Sequence, residues 1–350
     1  MSWLNGLARP DILALKPYEH ATWEPIYERM HANELPWRAL GDDTLAGLNR
    51  YPEPYPRVLA ERLAALYGVP VERVLVGRGS DEHIDLLTRA FCRAGQDAVL
   101  ICPPTFGMYS VAARIQGADL VTVPLDAGRG FALDERAVLE RCDARVKLVF
   151  LCSPNNPTGN LLDEDAVLRL AQALTGRALL VVDEAYLEFA EKPSLARHID
   201  RFPHIAVLRT LSKAHGLAGA RCGTLIAHPD VIALLSKVIQ PYAITQLTIE
   251  AVLRLLEPAQ LAVSERRVAT IIAERARLAA GLAELPGVIR VWPSAANFLL
   301  VELHEPDRML ERVRDAGILI RDVRRPGLER AVRISVGTPE QNDRVIGALR

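Results

Sequence analysis

The feature that most constrains this fold is an alternation of apolar runs with helical segments, which begins at Val74 and continues past residue 200. Strands are predicted at 74–76, 98–102, 120–123, 146–151, 178–182 and 206–208. Helices fit between several of them, at 82–91, 107–116 and 164–174. Because the strands are apolar on both faces and helices separate them, we predict an α/β fold with a mostly parallel sheet sandwiched by helices.

The chain beyond Pro229 has a different character. Long helical patterns come first, and short strands then alternate with a helix at 307–315, which predicts a smaller α+β domain. The predicted strands of this second unit are 288–291, 298–301, 318–320 and 332–336. We therefore divide the 350 residues into an N-terminal arm (1–30) that packs with the small domain, a large domain (31–235) and a small domain (236–350).

Composition excludes several classes of function. The 42 basic and 43 acidic residues nearly cancel, and no basic run could follow a phosphate backbone, so nucleic acid is not an expected partner. No apolar run is long enough to span a bilayer, and the amino end has no signal-peptide pattern, so we expect no membrane partner and a cytoplasmic location. The five cysteines form no CxxC pair, so we expect no metal site.

Candidate functional residues follow three of the predicted strands. Lys213 lies between small and hydroxylated residues, where a lysine with a lowered pKa could bond an aldehyde cofactor. Asp183 follows the run 178–182 and could keep the ring nitrogen of such a cofactor protonated. Asn156 could donate to the ring oxygen. Each residue has a simpler alternative. Lys213 could be an ordinary solvated lysine, Asp183 could form a turn or cap a helix, and the stretch around Asn156 could be a plain turn.

A glycine-containing turn joins the first predicted strand to the next helix. The sequence Gly77-Arg78-Gly79-Ser80-Asp81 can hold a phosphate with its backbone amides and the positive end of the helix. A dinucleotide fingerprint would need a third glycine at position 82, which is Glu82. The turn therefore favours a single phosphate group over a nicotinamide dinucleotide.

Taken together, these stretches resemble the aspartate-aminotransferase-like superfamily of pyridoxal phosphate enzymes. The motifs that carry the resemblance are Asn155-Asn156-Pro157-Thr158-Gly159, Asp183-Glu184-Ala185-Tyr186, Ser212-Lys213 and Arg221. Within the superfamily the chain is most similar to the histidinol-phosphate aminotransferase family. That similarity is carried by 49–54, 78–82, 102–109 and 208–213.

The resemblance implies fold type I, bound pyridoxal 5'-phosphate, and transamination between histidinol phosphate and 2-oxoglutarate in histidine biosynthesis. It implies catalytic roles for Lys213, Asp183 and Tyr186. The implied cofactor contacts also include Ser80, Asp81, Tyr109, Asn156, Ser212 and Arg221. Tyr109 is expected to stack on the cofactor ring, although helical periodicity would instead turn it toward the core. Tyr51 is expected to reach the cofactor phosphate of a neighbouring subunit, which implies a homodimer.

The implied substrate contacts are Arg333, Tyr18, Asn297 and Arg321. Arg333 lies in an apolar alternating strand, where it could face inward to grip a carboxylate or outward to solvent. Tyr18 could instead only anchor the arm.

Three other functions stay open at this point. They are aromatic amino-acid transamination, decarboxylation of a phosphorylated amino acid, and a non-enzymatic sensor domain of the same fold. One departure from the family pattern is His215, where phenylalanine is expected. It could be an ordinary loop histidine or could alter the pocket.

Overall fold

The computed structural model describes residues 3–24 and 26–350. Its larger sheet has seven strands: β1 (Val74–Gly77), β2 (Ala98–Ile101), β3 (Asp119–Thr122), β4 (Val146–Cys152), β5 (Leu179–Asp183), β6 (Ile205–Thr210) and β7 (Gly223–Ile226). The strand order is β1-β7-β6-β5-β4-β2-β3. The strands from β6 to β3 pair in parallel, whereas β7 is antiparallel to both β1 and β6. The predicted α/β fold with a mostly parallel sheet is confirmed.

Helices cover both faces of this sheet. They are α1 (Pro10–Ala14), α2 (Arg57–Tyr67), α3 (Ser80–Phe91), α4 (Met108–Gln116), α5 (Glu135–Arg141), α6 (Glu164–Leu174) and α7 (Pro229–Leu235). Successive strand residues point to opposite faces, so Leu100 and Leu180 belong to one core while Val99 and Val181 belong to the other. Helix α2 ends at Gly68, which takes the left-handed conformation at φ +64°.

The smaller sheet is antiparallel, with the strand order β10-β11-β9-β8. Its strands are β8 (Val288–Val291), β9 (Phe298–Leu303), β10 (Arg321–Asp322) and β11 (Ala331–Ser335). The accompanying helices are α8 (Gln246–Leu255), α9 (Pro258–Ala283), α10 (Pro306–Asp315) and α11 (Pro339–Leu349). No helix within residues 3–24 and 26–350 is long and apolar enough to cross a bilayer.

Two strand expectations differ from the structure. The strand predicted at 318–320 is wrong: the chain turns after α10 through Gly317 at φ +73°, and pairing begins only at Arg321. Strand β7 was not expected from the sequence. It is four residues long and lies close to the turn before α3, since a Cβ added at Gly223 would be 2.4 Å from the carbonyl carbon of Gly79.

The first part of the N-terminal arm lies on the large domain, which corrects the expected packing against the small domain. Leu4 and Leu7 are buried in the same core as α3 and α7. Arg9 donates its backbone N–H to the carbonyl of Ala90 and its guanidinium to the carbonyl of Arg89. The physical reason is that the last turn of α3 has carbonyls without helical partners, and the arm supplies donors for them. Residues 1, 2 and 25 of the arm lie outside the described residues.

Candidate active site

A cavity of about 820 Å³ lies at the carboxyl ends of β4, β5 and β6. Asp183, Thr210 and Cys152 are the last residues of these strands, and all three line it. The small sheet contributes Arg321 and Arg333 from the other side. Parallel α/β sheets place ligand sites at this edge because polar loops meet there beyond the buried strands.

Asp183 is the buried carboxylate of the cavity. Its side chain accepts a hydrogen bond from the Tyr109 hydroxyl at 2.7 Å and from the backbone N–H of Ala185 at 3.1 Å. Burial raises the pKa of Asp183 to about 6, because the ionised form loses hydration that these two donors only partly replace. The group is therefore mostly ionised at neutral pH, and it has no ion-pair partner within 4.0 Å among the described residues, which suits it to hold a protonated ring nitrogen.

Tyr109 does not present its ring to the cavity, which corrects the expected stacking on a cofactor. The ring is fully buried and stacks on Phe150, with centroids 4.8 Å apart and planes 9° apart. Its hydroxyl instead donates a hydrogen bond to the Asp183 carboxylate. Phe106, at the start of the same segment, lines the cavity and meets Tyr109 edge-on, so Phe106 rather than Tyr109 presents an aromatic ring to a bound ligand from this segment.

Lys213 lines the cavity from the loop after β6. Its ammonium lies 5.8 Å from the ring centre of Tyr186. Desolvation lowers the pKa of Lys213, and the nearby guanidinium of Arg333 lowers it further. A lowered pKa increases the fraction of neutral amine, which is the nucleophilic form.

Asn156, Tyr186 and Arg333 form a connected group between the two sheets. The Asn156 amide donates to the Tyr186 hydroxyl at 3.2 Å, and its oxygen accepts from Arg333 Nη1 at 2.6 Å. Arg333 also lies over the ring of Phe298, 5.1 Å from its centre. Of the two orientations considered for Arg333, the structure therefore shows the inward one. Burial lowers its pKa, and no carboxylate among the described residues lies within 4.0 Å of it.

The turn before α3 and the loop after Lys213 come together as the sequence predicts for a phosphate site. Arg221 Nη1 donates to the Ser212 hydroxyl at 3.3 Å, and Nη2 donates to Asp81 at 3.3 Å. Gly79 has φ +80°, and a Cβ there would be 2.6 Å from Arg221 Nη2. Ser80 begins α3, so its backbone N–H is one of the unpaired donors of a helix start. These groups form a cradle for an oxyanion.

Besides Tyr109, three predicted residues are not brought into the cavity. Tyr18 is 70% exposed, and Tyr51 is 51% exposed with its ring stacked on Tyr242 at 4.7 Å. Asn297 is partly buried beside β9, and its carbonyl accepts from the backbone N–H of Val336. Arg321, by contrast, does line the cavity, as expected.

Several functional residues were missed from the sequence. Thr105 and Thr210 line the cavity, and Thr210 donates to the Ser212 hydroxyl at 3.0 Å. Asn155 holds the loop of Asn156 in place, because its side chain contacts Thr105 at 2.8 Å. Arg325 lines the cavity near the carbonyl of Thr105. The position of Thr105, just beyond the end of β2, was the available signal, since ligands bind beyond strand ends.

The comparisons with known proteins agree with this geometry. The sequence model described as aminotransferase class I and II matches residues 37–349. The chain belongs to this family. It is 49% identical over 349 residues to the histidinol-phosphate aminotransferase of Stenotrophomonas maltophilia (strain R551-3), which covers 98% of this chain and 96% of the relative.

Solved structures of other aminotransferases are similar as well. The histidinol-phosphate aminotransferase of Sinorhizobium meliloti, in complex with pyridoxal-5'-phosphate, matches with a TM-score of 0.77 at 28% identity, over 86% of this chain and 82% of that chain. The enzyme of that name from Clostridium acetobutylicum has a TM-score of 0.78 at 22% identity, over 86% and 90%, which shows the shared fold.

The residues of this aminotransferase fit the cofactor that the sequence resemblance implies. An aldehyde needs an amine of lowered pKa, which Lys213 provides. A pyridine nitrogen needs a buried carboxylate, which Asp183 provides. A phosphate needs the cradle at Arg221, where a side chain at Gly79 would fill the space. Lys213, Asp183 and Arg221 all line the same cavity.

Proposed function

We propose that this aminotransferase uses pyridoxal 5'-phosphate to exchange an amino group between L-histidinol phosphate and 2-oxoglutarate, giving imidazole acetol phosphate and L-glutamate. The observation that carries the proposal is the meeting of Lys213, Asp183 and Arg333 in one cavity. The similarity to the Stenotrophomonas enzyme supports the choice of substrate.

Each residue of the cavity has a task in this reaction. When bound, pyridoxal phosphate supplies an electron sink for the charge that develops at the substrate Cα. Lys213 Nζ would take the proton from that carbon and deliver it to the cofactor carbon that originates from the aldehyde. Asp183 would hold a proton on the ring nitrogen, while Asn156 and Tyr186 would orient the ring oxygen. Ser80, Ser212 and Arg221 would hold the phosphate.

The arginines explain how one cavity accepts substrates with different anions. Arg324 is paired with Asp322 and Asp307, whereas Arg321, Arg325 and Arg333 have no carboxylate within 4.0 Å among residues 3–24 and 26–350. The guanidinium of Arg333 is partly buried and needs an anionic partner, and the exposed guanidiniums of Arg321 and Arg325 at the same cavity can bind further anionic partners. The two carboxylates of glutamate or the phosphate ester of histidinol phosphate can supply them in turn.

The test compares purified enzyme with two amino donors at equal concentration, with 2-oxoglutarate as acceptor. We expect histidinol phosphate to react much faster than phenylalanine. Faster turnover of phenylalanine would reassign the chain to aromatic transamination. Release of carbon dioxide from a phosphorylated amino acid would indicate the decarboxylase instead.

Lys213→Ala tests the chemistry separately from the substrate. The variant should lose turnover, and borohydride treatment of the wild type should attach the cofactor to Lys213 alone. A sensor domain would show no spectral change when glutamate is added. Unchanged turnover in the variant would contradict the assignment of Lys213.

We also propose that the enzyme is a homodimer in which Tyr51 contacts the cofactor phosphate of the other subunit. The support is its position outside the cavity of its own subunit, half-exposed, on a segment with several exposed apolar side chains. These include Met30, Trp37 and Leu45. Analytical ultracentrifugation should give twice the chain mass of 38.6 kDa, and a monomer with full activity would contradict the proposal. The cytoplasmic location stays a prediction.

A further inference from the structure

The segments that follow β5 and β6 are joined outside the cavity. Asp183 and Tyr186 of the first segment and Lys213 of the second line the cavity. Their close neighbours in the sequence, Glu184 and His215, do not line it. These neighbours belong instead to a connected group of four side chains, two after β5 and two from the end of β6 and its loop, which we call the brace: Glu184, Glu188, Arg209 and His215.

Arg209 is the centre of the brace. Its Nη1 donates to Glu184 Oε2 at 3.2 Å, and its Nη2 donates to Glu188 Oε1 at 2.7 Å. The Glu184 carboxylate is fixed further, because it accepts from the Ser194 hydroxyl at 2.6 Å and from the backbone N–H of Leu195 at 2.7 Å. The side chain of Arg209 is mostly buried, so water screens these charge-assisted hydrogen bonds little and they hold a defined geometry.

His215 ties the loop of Lys213 to this group. Its Nε2 lies 3.7 Å from Glu188 Oε1, and only 9% of its side chain is exposed. The residue between them in the sequence, Ala214, is buried in the same apolar cluster as Tyr186. The chain immediately after Lys213 is therefore anchored at two successive residues, by apolar packing at Ala214 and by a polar contact at His215.

The charges of the brace explain why a histidine suits this position. Glu184 and Glu188 share the single guanidinium of Arg209. Burial raises the pKa of Glu184 even though Arg209 opposes it. Burial acts in the same direction at Glu188, but Arg209 and His215 together outweigh it, so the pKa of Glu188 is lowered. Phenylalanine, which the family pattern leads us to expect at position 215, would fill space without placing a polar group beside this carboxylate.

We propose that His215 and Glu188 are positioning residues for Lys213. The brace fixes the loop after β6 relative to the segment of Asp183, and so fixes the place of Lys213 Nζ relative to a bound cofactor. This inference rests on the proposed role of Lys213. An amine that must reach one carbon needs a fixed loop, since a misplacement of about 1 Å can lower a rate roughly a hundredfold. His215 and Glu188 act only through Lys213, because neither lines the cavity.

The test uses two substitutions that differ by one methylene group. In His215→Gln the side-chain amide can take the place of Nε2 and still donate to Glu188. In His215→Asn the shorter amide reaches only the place of Nδ1, which has no partner among the described residues. His198→Asn is the matched control, since His198 Nε2 lies 3.1 Å from Glu164 Oε1 and neither residue lines the cavity. Thermal melting of each variant checks that it is folded.

The first measurement is cofactor binding by the apoenzymes, which separates Lys213 from the rest of the site. Pyridoxal phosphate needs the Lys213 amine, whereas pyridoxamine phosphate has the same ring and phosphate but no aldehyde. We expect His215→Asn to slow the attachment of pyridoxal phosphate, followed by visible absorbance, roughly five- to twentyfold. Its dissociation constant for pyridoxamine phosphate, from isothermal titration, should change by less than about twofold. A general distortion of the site would affect both compounds.

The second measurement separates kcat from KM in the enzyme saturated with cofactor. His215→Asn should lower kcat roughly five- to twentyfold with little change in the KM for glutamate, because the brace contains none of the arginines at the cavity. His215→Gln and His198→Asn should keep both constants within about twofold of the wild type. Glu188→Gln should lower kcat by itself, and adding His215→Asn should cost little more, because both changes remove the same contact.

Three results would overturn the proposal. They are wild-type attachment rates and kcat in folded His215→Asn, an equal loss in His215→Gln, and losses that multiply fully in the double variant. If His215→Asn does not fold, Glu188→Gln carries the same measurements with the same outcomes. Failure of the proposed function is distinguishable, because borohydride would then attach the cofactor to a lysine other than Lys213. With Lys213 labelled, an unaffected variant refutes only the role of the brace.

Discussion

Removing the Tyr109 hydroxyl should change the pH at which the enzyme can hold its cofactor. Tyr109→Phe keeps the ring that stacks on Phe150 and deletes only the donor that lies 2.7 Å from Asp183. The remaining donor to this carboxylate is the backbone N–H of Ala185 at 3.1 Å. The variant therefore tests a single hydrogen bond to a buried charge.

The size of the effect follows from the hydrogen bond and the burial. A hydrogen bond to a charged group contributes about 1.5–3 kcal/mol. Since one pKa unit corresponds to about 1.36 kcal/mol, its loss should raise the pKa of Asp183 by about one to two units. Asp183 begins at about 6, because of its burial. The carboxylate exists above its pKa, so cofactor affinity should decline as pH falls through about 6 in the wild type and through about 7–8 in the variant.

The assay is a titration of apoenzyme with pyridoxal phosphate from pH 5 to 9 at constant ionic strength, followed by absorbance. Tyr55→Phe is the matched control, since its hydroxyl donates to the carbonyl of Ser236 outside the cavity. The control also corrects for the cofactor's own ionisations. A midpoint for Tyr109→Phe equal to that of the control would refute the link between this hydroxyl and the charge of Asp183.

Three further variants test the packing and the anion sites. Gly223→Ala should destabilise the protein by about 1–3 kcal/mol in urea unfolding, because the new Cβ would meet the backbone of Gly79 at 2.4 Å; an unchanged midpoint would contradict this close approach. Arg209→Met should lower the free energy of unfolding by about 3–5 kcal/mol, because it leaves the buried carboxylates of Glu184 and Glu188 without their arginine. This destabilisation should be larger at pH 8 than at pH 5, where the carboxylates can become protonated, and the opposite trend would refute the ion-pair account. Arg333→Lys should raise the KM for glutamate roughly tenfold, since lysine lacks the planar fork of donors, and an unchanged KM would remove Arg333 from the carboxylate site.

Much of the large domain could be predicted because its signals are local. An apolar run of five or six residues defines a strand such as β5, and the residue after that run, Asp183, lies at the functional edge of a parallel sheet for topological reasons. The end of α2 depends on one glycine. Strand β7 escaped prediction because four residues are too few for a period, and its place between β1 and β6 depends on pairing with distant strands.

The amino-acid sequence by itself predicted most of the order of the elements, and it indicated Lys213, Asp183 and the turn before α3 as candidates for the reaction and for a phosphate, because each of these signals depends on residues that are neighbours in the chain. Only the tertiary structure decided that Tyr109 serves Asp183 with its hydroxyl, and that Arg333 faces Asn156, which is 177 positions away. It also decided that the arm packs on the large domain and that His215 lies beside Glu188 of another segment. These contacts depend on how separate segments pack against one another, and periodicity within a segment carries no information about which distant surface it will meet.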